Sequence, residues 1–272
     1  MHIPVNYNTN KQLPLVLVLH GAFSNAGKIE EHSGFSLLAD KDGFFAVYPN
    51  GGFGLFGFLQ HWNAGFCCGK AQADSVDDVG FLEMVIKDIQ QRFNIDSARI
   101  YMVGFSNGGM MTYRFASEHT DILAAAAPMA ASIGGRASTN EPIWIIPKPL
   151  GPLPLIIFHS MDDTHVPYDG GISPAKGGER EYVSVRKSVE FWIRNNGCSA
   201  TAVTGTMYND QVIHKLWPDV TGSHNDIELY LLKSWGHKWP GRYFTDKLKT
   251  TDPLHGFDAA EIIWEFFKEH HK

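Results

Sequence analysis

Gly104-Phe105-Ser106-Asn107-Gly108 places a serine between two glycines, with Gly109 directly behind them. The residues before it, Arg99 to Val103, are β-branched and aromatic and read as a buried strand. Those after it, Met110 to Ala116, have helix-forming composition. A G-x-S-x-G at a strand-to-helix turn holds its serine in a tight, strained conformation with the hydroxyl projecting toward a substrate. The glycines leave room for a turn that a Cβ would crowd. The helix start adds free backbone N–H groups and a partial positive charge. These are the conditions of an acyl-transfer nucleophile.

Such a serine needs a base within hydrogen-bond reach and an acid that orients the base. When the nucleophile sits on this kind of turn, the acid and then the histidine follow it in the chain. Of the 13 histidines, His237 alone stands in a loop directly after the last strand, within Trp235-Gly236-His237-Lys238-Trp239-Pro240-Gly241, and His255 is the fallback. The acid is expected after the strand ending at His159, where Asp162 and Asp163 are neighbours that position alone does not separate. A developing oxyanion requires donors aimed at it in advance. The Asn107 amide is one, and the Ala22 amide in His20-Gly21-Ala22 is the other, with Phe23 as its neighbour. His20 lies on the wrong loop for a base and reads as structural. Phe23, Trp62 and Trp239 are apolar candidates for lining a substrate pocket.

The elements that must hold these groups alternate between strand and helix. Leu13 to Leu19 is continuously apolar, as a parallel strand covered on both faces should be. Phe44 to Pro49, Ile122 to Met129, Leu153 to His159 and Ile227 to Leu232 read as further strands. Helices are expected over Ser36–Asp40, Val76–Asn94, Val183–Asn195 and Asp258–His270, with an antiparallel hairpin between Thr201 and Trp217. This order predicts an α/β fold, a mostly parallel, doubly wound sheet with helices on both faces, in one domain over residues 1–272. Two stretches stand outside the alternation. One is an aromatic- and glycine-rich loop from Asn50 to Ala73, the other an excursion from Gly134 to Gly151 expected to pass over the sheet.

The net charge of −6 comes without basic blocks, which argues against nucleic acid or an anionic membrane surface as partner. No run approaches the length of a membrane span, and no charged and then apolar leader is seen. Three cysteines are too few for a disulfide framework, and their spacing does not suit zinc, so no metal is expected. One disulfide, from Cys67 or Cys68 to Cys198, is expected and leans toward an exported protein.

His20-Gly21, Trp62-Asn63-Ala64-Gly65 with Cys67-Cys68-Gly69, Asp77-Asp78-Val79-Gly80-Phe81 and Gly104 to Gly109 share one pattern with Asp163…Val166-Pro167-Tyr168 and Gly236-His237…Trp239-Pro240-Gly241. Together they resemble the polyhydroxybutyrate-depolymerase-like esterases, a group that includes feruloyl and acetylxylan esterases of carbohydrate esterase family 1. The resemblance runs from about Leu13 to Gly241. It implies an α/β-hydrolase fold, no cofactor, export, and Asp163 rather than Asp162 as the acid. It also implies a serine carboxylic-ester hydrolase that works through an acyl-enzyme, on short-chain, feruloyl or acetyl esters of plant polysaccharide. A polyester depolymerase is the alternative, and a serine peptidase or a non-catalytic binding module are more distant ones. The chain departs from the pattern at Ala22-Phe23-Ser24, at His159-Ser160 where a glycine usually follows the histidine, and in lacking a cysteine after Cys198. The Gly134–Gly151 excursion has no counterpart and is expected to shape the acyl pocket together with the Gly51–Gly69 loop.

Overall fold

A computed structural model describes residues 1–52, 59–176 and 179–272. Residues 53–58 of the predicted aromatic loop lie outside the described residues. In chain order the strands are β1 (Leu13–Leu19), β2 (Phe45–Val47), β3 (Ile95–Phe105), β4 (Ala125–Met129), β5 (Gly134–Arg136) and β6 (Trp144–Ile145). They continue with β7 (Leu155–Ser160), β8 (Gly171–Ile172), β9 (Glu181–Tyr182), β10 (Val203–Met207), β11 (Val212–Trp217) and β12 (Ile227–Leu232). The helices are α1 (Ala26–Ser33), α2 (Phe35–Asp42), α3 (Gly69–Ala73), α4 (Asp78–Arg92), α5 (Asn107–Glu118), α6 (Val185–Asn196), α7 (Arg242–Thr245) and α8 (Ala259–Lys268).

Eight strands form the main sheet in the order β10-β11-β12-β7-β4-β3-β1-β2. From β12 to β2 all pairs are parallel, and the predicted hairpin supplies the antiparallel edge. Successive side chains on a strand point to opposite faces. In β1, Leu15, Leu17 and Leu19 therefore enter one apolar core, with α4, α5 and α6, while Val16 and Val18 enter the other, with α2 and α8. This is why the β1 sequence is apolar without alternation. Truncating Leu17, wholly buried, to alanine should cost about 2–5 kcal/mol.

Helix α1, like the short α3 and α7, is not announced by periodicity. Only Ile29 and Ser33 of it are buried, and its start is marked by Asn25, whose side chain accepts from the Lys28 amide. At α4 the cap is Asp77, accepting from the Gly80 amide, whereas Asp78 turns inward and accepts from the Asn63 amide at 2.6 Å. The Gly134–Gly151 excursion supplies β5 and β6. With β9 and β8 they build a second, four-stranded antiparallel sheet. Cys67 and Cys68 are joined to each other, and Cys198 is free. The expected bridge to Cys198 is thus corrected: that thiol sits at the foot of α6 beside the Asn225 carbonyl.

Candidate active site

Strand β3 ends in Phe105 and α5 begins at Asn107, so the whole reversal of direction falls on Ser106, with φ 56° and ψ −120°. A non-glycine residue at positive φ is strained, and the strain persists only where neighbours enforce it. Here they do. A Cβ on Gly108 would overlap the carbonyl oxygens of Leu19 and His20, and one on Gly104 would overlap the Gly108 carbonyl. Glycine at both positions lets α5 close onto β1 and β3. The Ser106 amide donates to the Met129 carbonyl at 2.9 Å, which ties the turn to β4.

The Ser106 hydroxyl lies 2.8 Å from His237 Nε2, and His237 Nδ1 lies 2.7 Å from Asp163 Oδ2. Asp163 follows β7 and His237 follows β12, neighbouring parallel strands, so residues 74 apart in sequence meet at one edge of the sheet. Burial alone would raise the Asp163 carboxyl, but the hydrogen bond and charge of His237 outweigh it and hold the group below the ordinary carboxylate value. Its other oxygen accepts from the His165 and Val166 amides at 2.8 and 3.0 Å. An ionised carboxylate fixed this way sets the imidazole tautomer and leaves Nε2 free to take the serine proton.

Asp162, the neighbour that position alone does not separate from Asp163, has a different set of partners. Asp162 Oδ1 accepts from the Trp235 and Gly236 amides at 3.0 and 2.8 Å and from the Ser160 hydroxyl at 2.6 Å, and Oδ2 accepts from the Ser234 hydroxyl. It therefore pins the loop that carries His237. Ser160, where the family pattern has glycine, belongs to the same network. Asn107 also has a second role: its side chain accepts from the Trp62 amide at 2.7 Å and donates to the Trp62 carbonyl at 2.9 Å, clamping that loop to the start of α5. His165, passed over in the sequence, stacks on His237 with centroids 4.6 Å apart. Asp163, His165 and His237 also have the spacing of a metal site, with ligand atoms within 4.8 Å of one another, but two of those residues are hydrogen-bonded together as described.

Ser106 opens into a cavity of about 390 Å³, whose wall includes Ala22, Phe23, Asn107 and Trp239. Phe23 is 55% exposed at its mouth and Trp239 is 2% exposed in its wall. The Phe23 amide donates to the Gln60 carbonyl at 3.0 Å, which favours Ala22 as the amide facing the serine. Trp62 is elsewhere. It is wholly buried, its indole donates to the His20 carbonyl at 3.0 Å, and it does not line the cavity. Its expected pocket role is corrected: Asn107 holds its backbone at the start of α5, and the ring packs inward against His20 and Phe81. His20 is structural in its contacts, bonding the Gly21 carbonyl through Nδ1 and receiving the Gly51 amide at Nε2. The excursion was expected to shape the pocket directly, but none of its described residues lines the cavity. It acts through β9, whose Tyr182 does.

Residues 2–141 match the family described as Esterase PHB depolymerase. The chain belongs to this family. Among its relatives, feruloyl esterase B of Piromyces equi is 30% identical over 208 residues, which cover 76% of this chain and 37% of that protein. Poly(3-hydroxyalkanoate) depolymerase C of Paucimonas lemoignei is 30% identical over 134 residues, 47% of this chain and 30% of that one. The chain thus spans about a third of the length of either esterase. An acetyl xylan esterase from Aspergillus awamori shares the fold with a TM-score of 0.63 over 98% of this chain and 92% of that one, at 13% identity. The PHB depolymerase esterase family member described here accordingly has the α/β-hydrolase fold, with Ser106, Asp163 and His237 at the edge where the relevant strands end.

Proposed function

We propose that this chain is a serine carboxylic-ester hydrolase in which Ser106 attacks the ester carbonyl and carries the acyl group. The observation behind this reading is the unbroken hydrogen-bonded line from Asp163 through His237 to the Ser106 hydroxyl, ending in an open cavity. In the first half-reaction His237 Nε2 takes the serine proton as Oγ bonds to the carbonyl carbon. The amides of Asn107 and Ala22 receive the oxyanion, and the protonated imidazole returns its proton to the departing alkoxide. Water then repeats the sequence against the acyl-enzyme and frees the acid.

Short-chain, acetyl or feruloyl esters of plant polysaccharide are the substrates this reading favours, because relatives are named as feruloyl and acetylxylan esterases. A polyester is the second reading, supported by the exposed Phe23 at the cavity mouth and by the relative named as a polyhydroxyalkanoate depolymerase. Export fits the joined Cys67–Cys68 pair, and no described helix is long and apolar enough to cross a membrane. The test is hydrolysis of p-nitrophenyl acetate and butyrate together with labelling by a fluorophosphonate. We expect turnover and a covalent adduct in the wild type, and neither in Ser106→Ala. Ordinary turnover by Ser106→Ala would sink the mechanism. An acyl-chain and aryl-ester panel then separates the polysaccharide ester from the polyester.

A further inference from the structure

The chain carries a net charge of −6, yet the described residues lining the Ser106 cavity include Lys28, Arg180 and Lys238 and no aspartate or glutamate. The two lysines are exposed, and Lys238 Nζ sits 4.5 Å from the centre of the Trp235 ring. Arg180 is different, because it stands half-buried in the wall, just before β9. Its Nη1 lies 3.3 Å from both the Cys67 and Cys68 sulfurs, and the guanidinium also donates to the Tyr182 phenol. Its Nε is buried and unpartnered. Sulfur is a weak acceptor and a neutral phenol carries no charge, so these contacts orient the guanidinium without neutralising it. Among the described residues no carboxylate lies within ion-pair distance of Arg180. The adjacent Glu181 points to the other face of β9, where Arg136 Nε holds it at 2.7 Å. Burying part of an uncompensated cation in the wall of the cavity that Ser106 lines is costly unless an anion completes the site.

We propose that Arg180, helped by Lys28 and Lys238 at the rim, selects esters that carry a carboxylate beside the scissile bond. This inference rests on the esterase reading and names its substrate class. A planar guanidinium presents paired N–H donors that match a carboxylate, and in a cavity wall such a contact is stronger than at an open surface. The carboxylate can belong to the acyl part, as in a half-ester of a dicarboxylic acid, or to the alcohol part, as in an acidic sugar or a hydroxy acid. The small antiparallel sheet then has a function: β5 pairs with β9 and holds Glu181 away, and β9 delivers Arg180 and Tyr182 to the cavity.

The experiment compares kcat/KM on two matched pairs. Mono(4-nitrophenyl) adipate against 4-nitrophenyl hexanoate places the charge on the acyl side. For the alcohol side the pair is 3-acetoxybenzoate and 3-acetoxybenzamide. In at least one pair the wild type should prefer the anionic ester, and Arg180→Met should lower the anionic-to-neutral ratio about tenfold or more, mainly through KM. Arg180→Lys, which keeps the charge but loses the paired donors, should give a ratio between those of the wild type and Arg180→Met, and added salt should erode it. A wild-type ratio at or below one in both pairs overturns the proposal, and so does a ratio that Arg180→Met leaves unchanged while both rates fall together. Hydrolysis of none of the four esters would overturn the esterase reading and this inference with it.

Discussion

Asp163 holds the candidate site together through both of its oxygens, one on His237 and one on the His165 and Val166 amides. An asparagine there can still accept from the two amides, but it meets His237 as a neutral amide and no longer stabilises an imidazolium. We expect Asp163→Asn to lower kcat on p-nitrophenyl butyrate by roughly 10³–10⁴-fold with a near-normal thermal melt. A kcat within tenfold of the wild type would remove Asp163 from the mechanism. Asp163 could be singled out from Asp162 only through the family pattern, since composition and position treat the two alike. Their contacts separate them: Asp162 grips the backbone of the His237 loop, and Asp163 grips its imidazole.

At the scale of elements, the decisive fit is α5 against β1. Gly108 lies where any side chain would meet the Leu19 and His20 carbonyls, so the helix can approach only with glycine there. Gly108→Ala should destabilise the fold by about 3 kcal/mol, at the upper end of overpacking costs, and should lower kcat because the Asn107 amide moves with the helix start. Equilibrium denaturation and steady-state kinetics on the same preparation check both, and an unchanged midpoint would show that the helix has room. The strand before Ser106 and the helix after it are legible from composition. The clamp that Asn107 places on Trp62 is not, because it joins a loop to the start of a helix 45 residues away.

Across the whole molecule, buried His20 and half-buried Asp258 contribute to stability against pH with opposite signs. Burial pushes the His20 imidazole down to about 4, below its unfolded value of about 6.5. On acidification the unfolded chain therefore takes the proton first, and up to about 3 kcal/mol of stability is lost between pH 6.5 and 4. Asp258, which caps α8, has the opposite sign. Burial pushes its carboxyl up to about 6, so the folded chain takes the proton first and acidification from pH 6 toward 4 stabilises it by a similar amount. In the wild type the two effects offset each other. Asp258→Asn keeps the cap to the Ala260 amide and removes the second effect. This variant should melt higher than the wild type at pH 7 and lose that advantage by pH 4.5, a relative fall of about 5 °C. Parallel melting curves against pH would contradict the assignment.

The sequence alone determined what depends on neighbours along the chain. The apolar β1 run, the amphipathic α4, the turn at Ser106 and the last strand and helix all follow from local periodicity and propensity. That the loop carrying His237 can face Ser106 follows too, because strand order restricts which loops can reach it. Only the tertiary structure decided what depends on residues brought together from afar. It turned Trp62 inward, joined Cys67 to Cys68 rather than to Cys198, assigned Asp162 to the His237 loop, and folded the Gly134–Gly151 excursion into a sheet that carries Arg180 to the cavity. Such contacts are set by which strands lie side by side and how closely two cores pack on them. Ser106 and His237 meet across 131 residues for that reason.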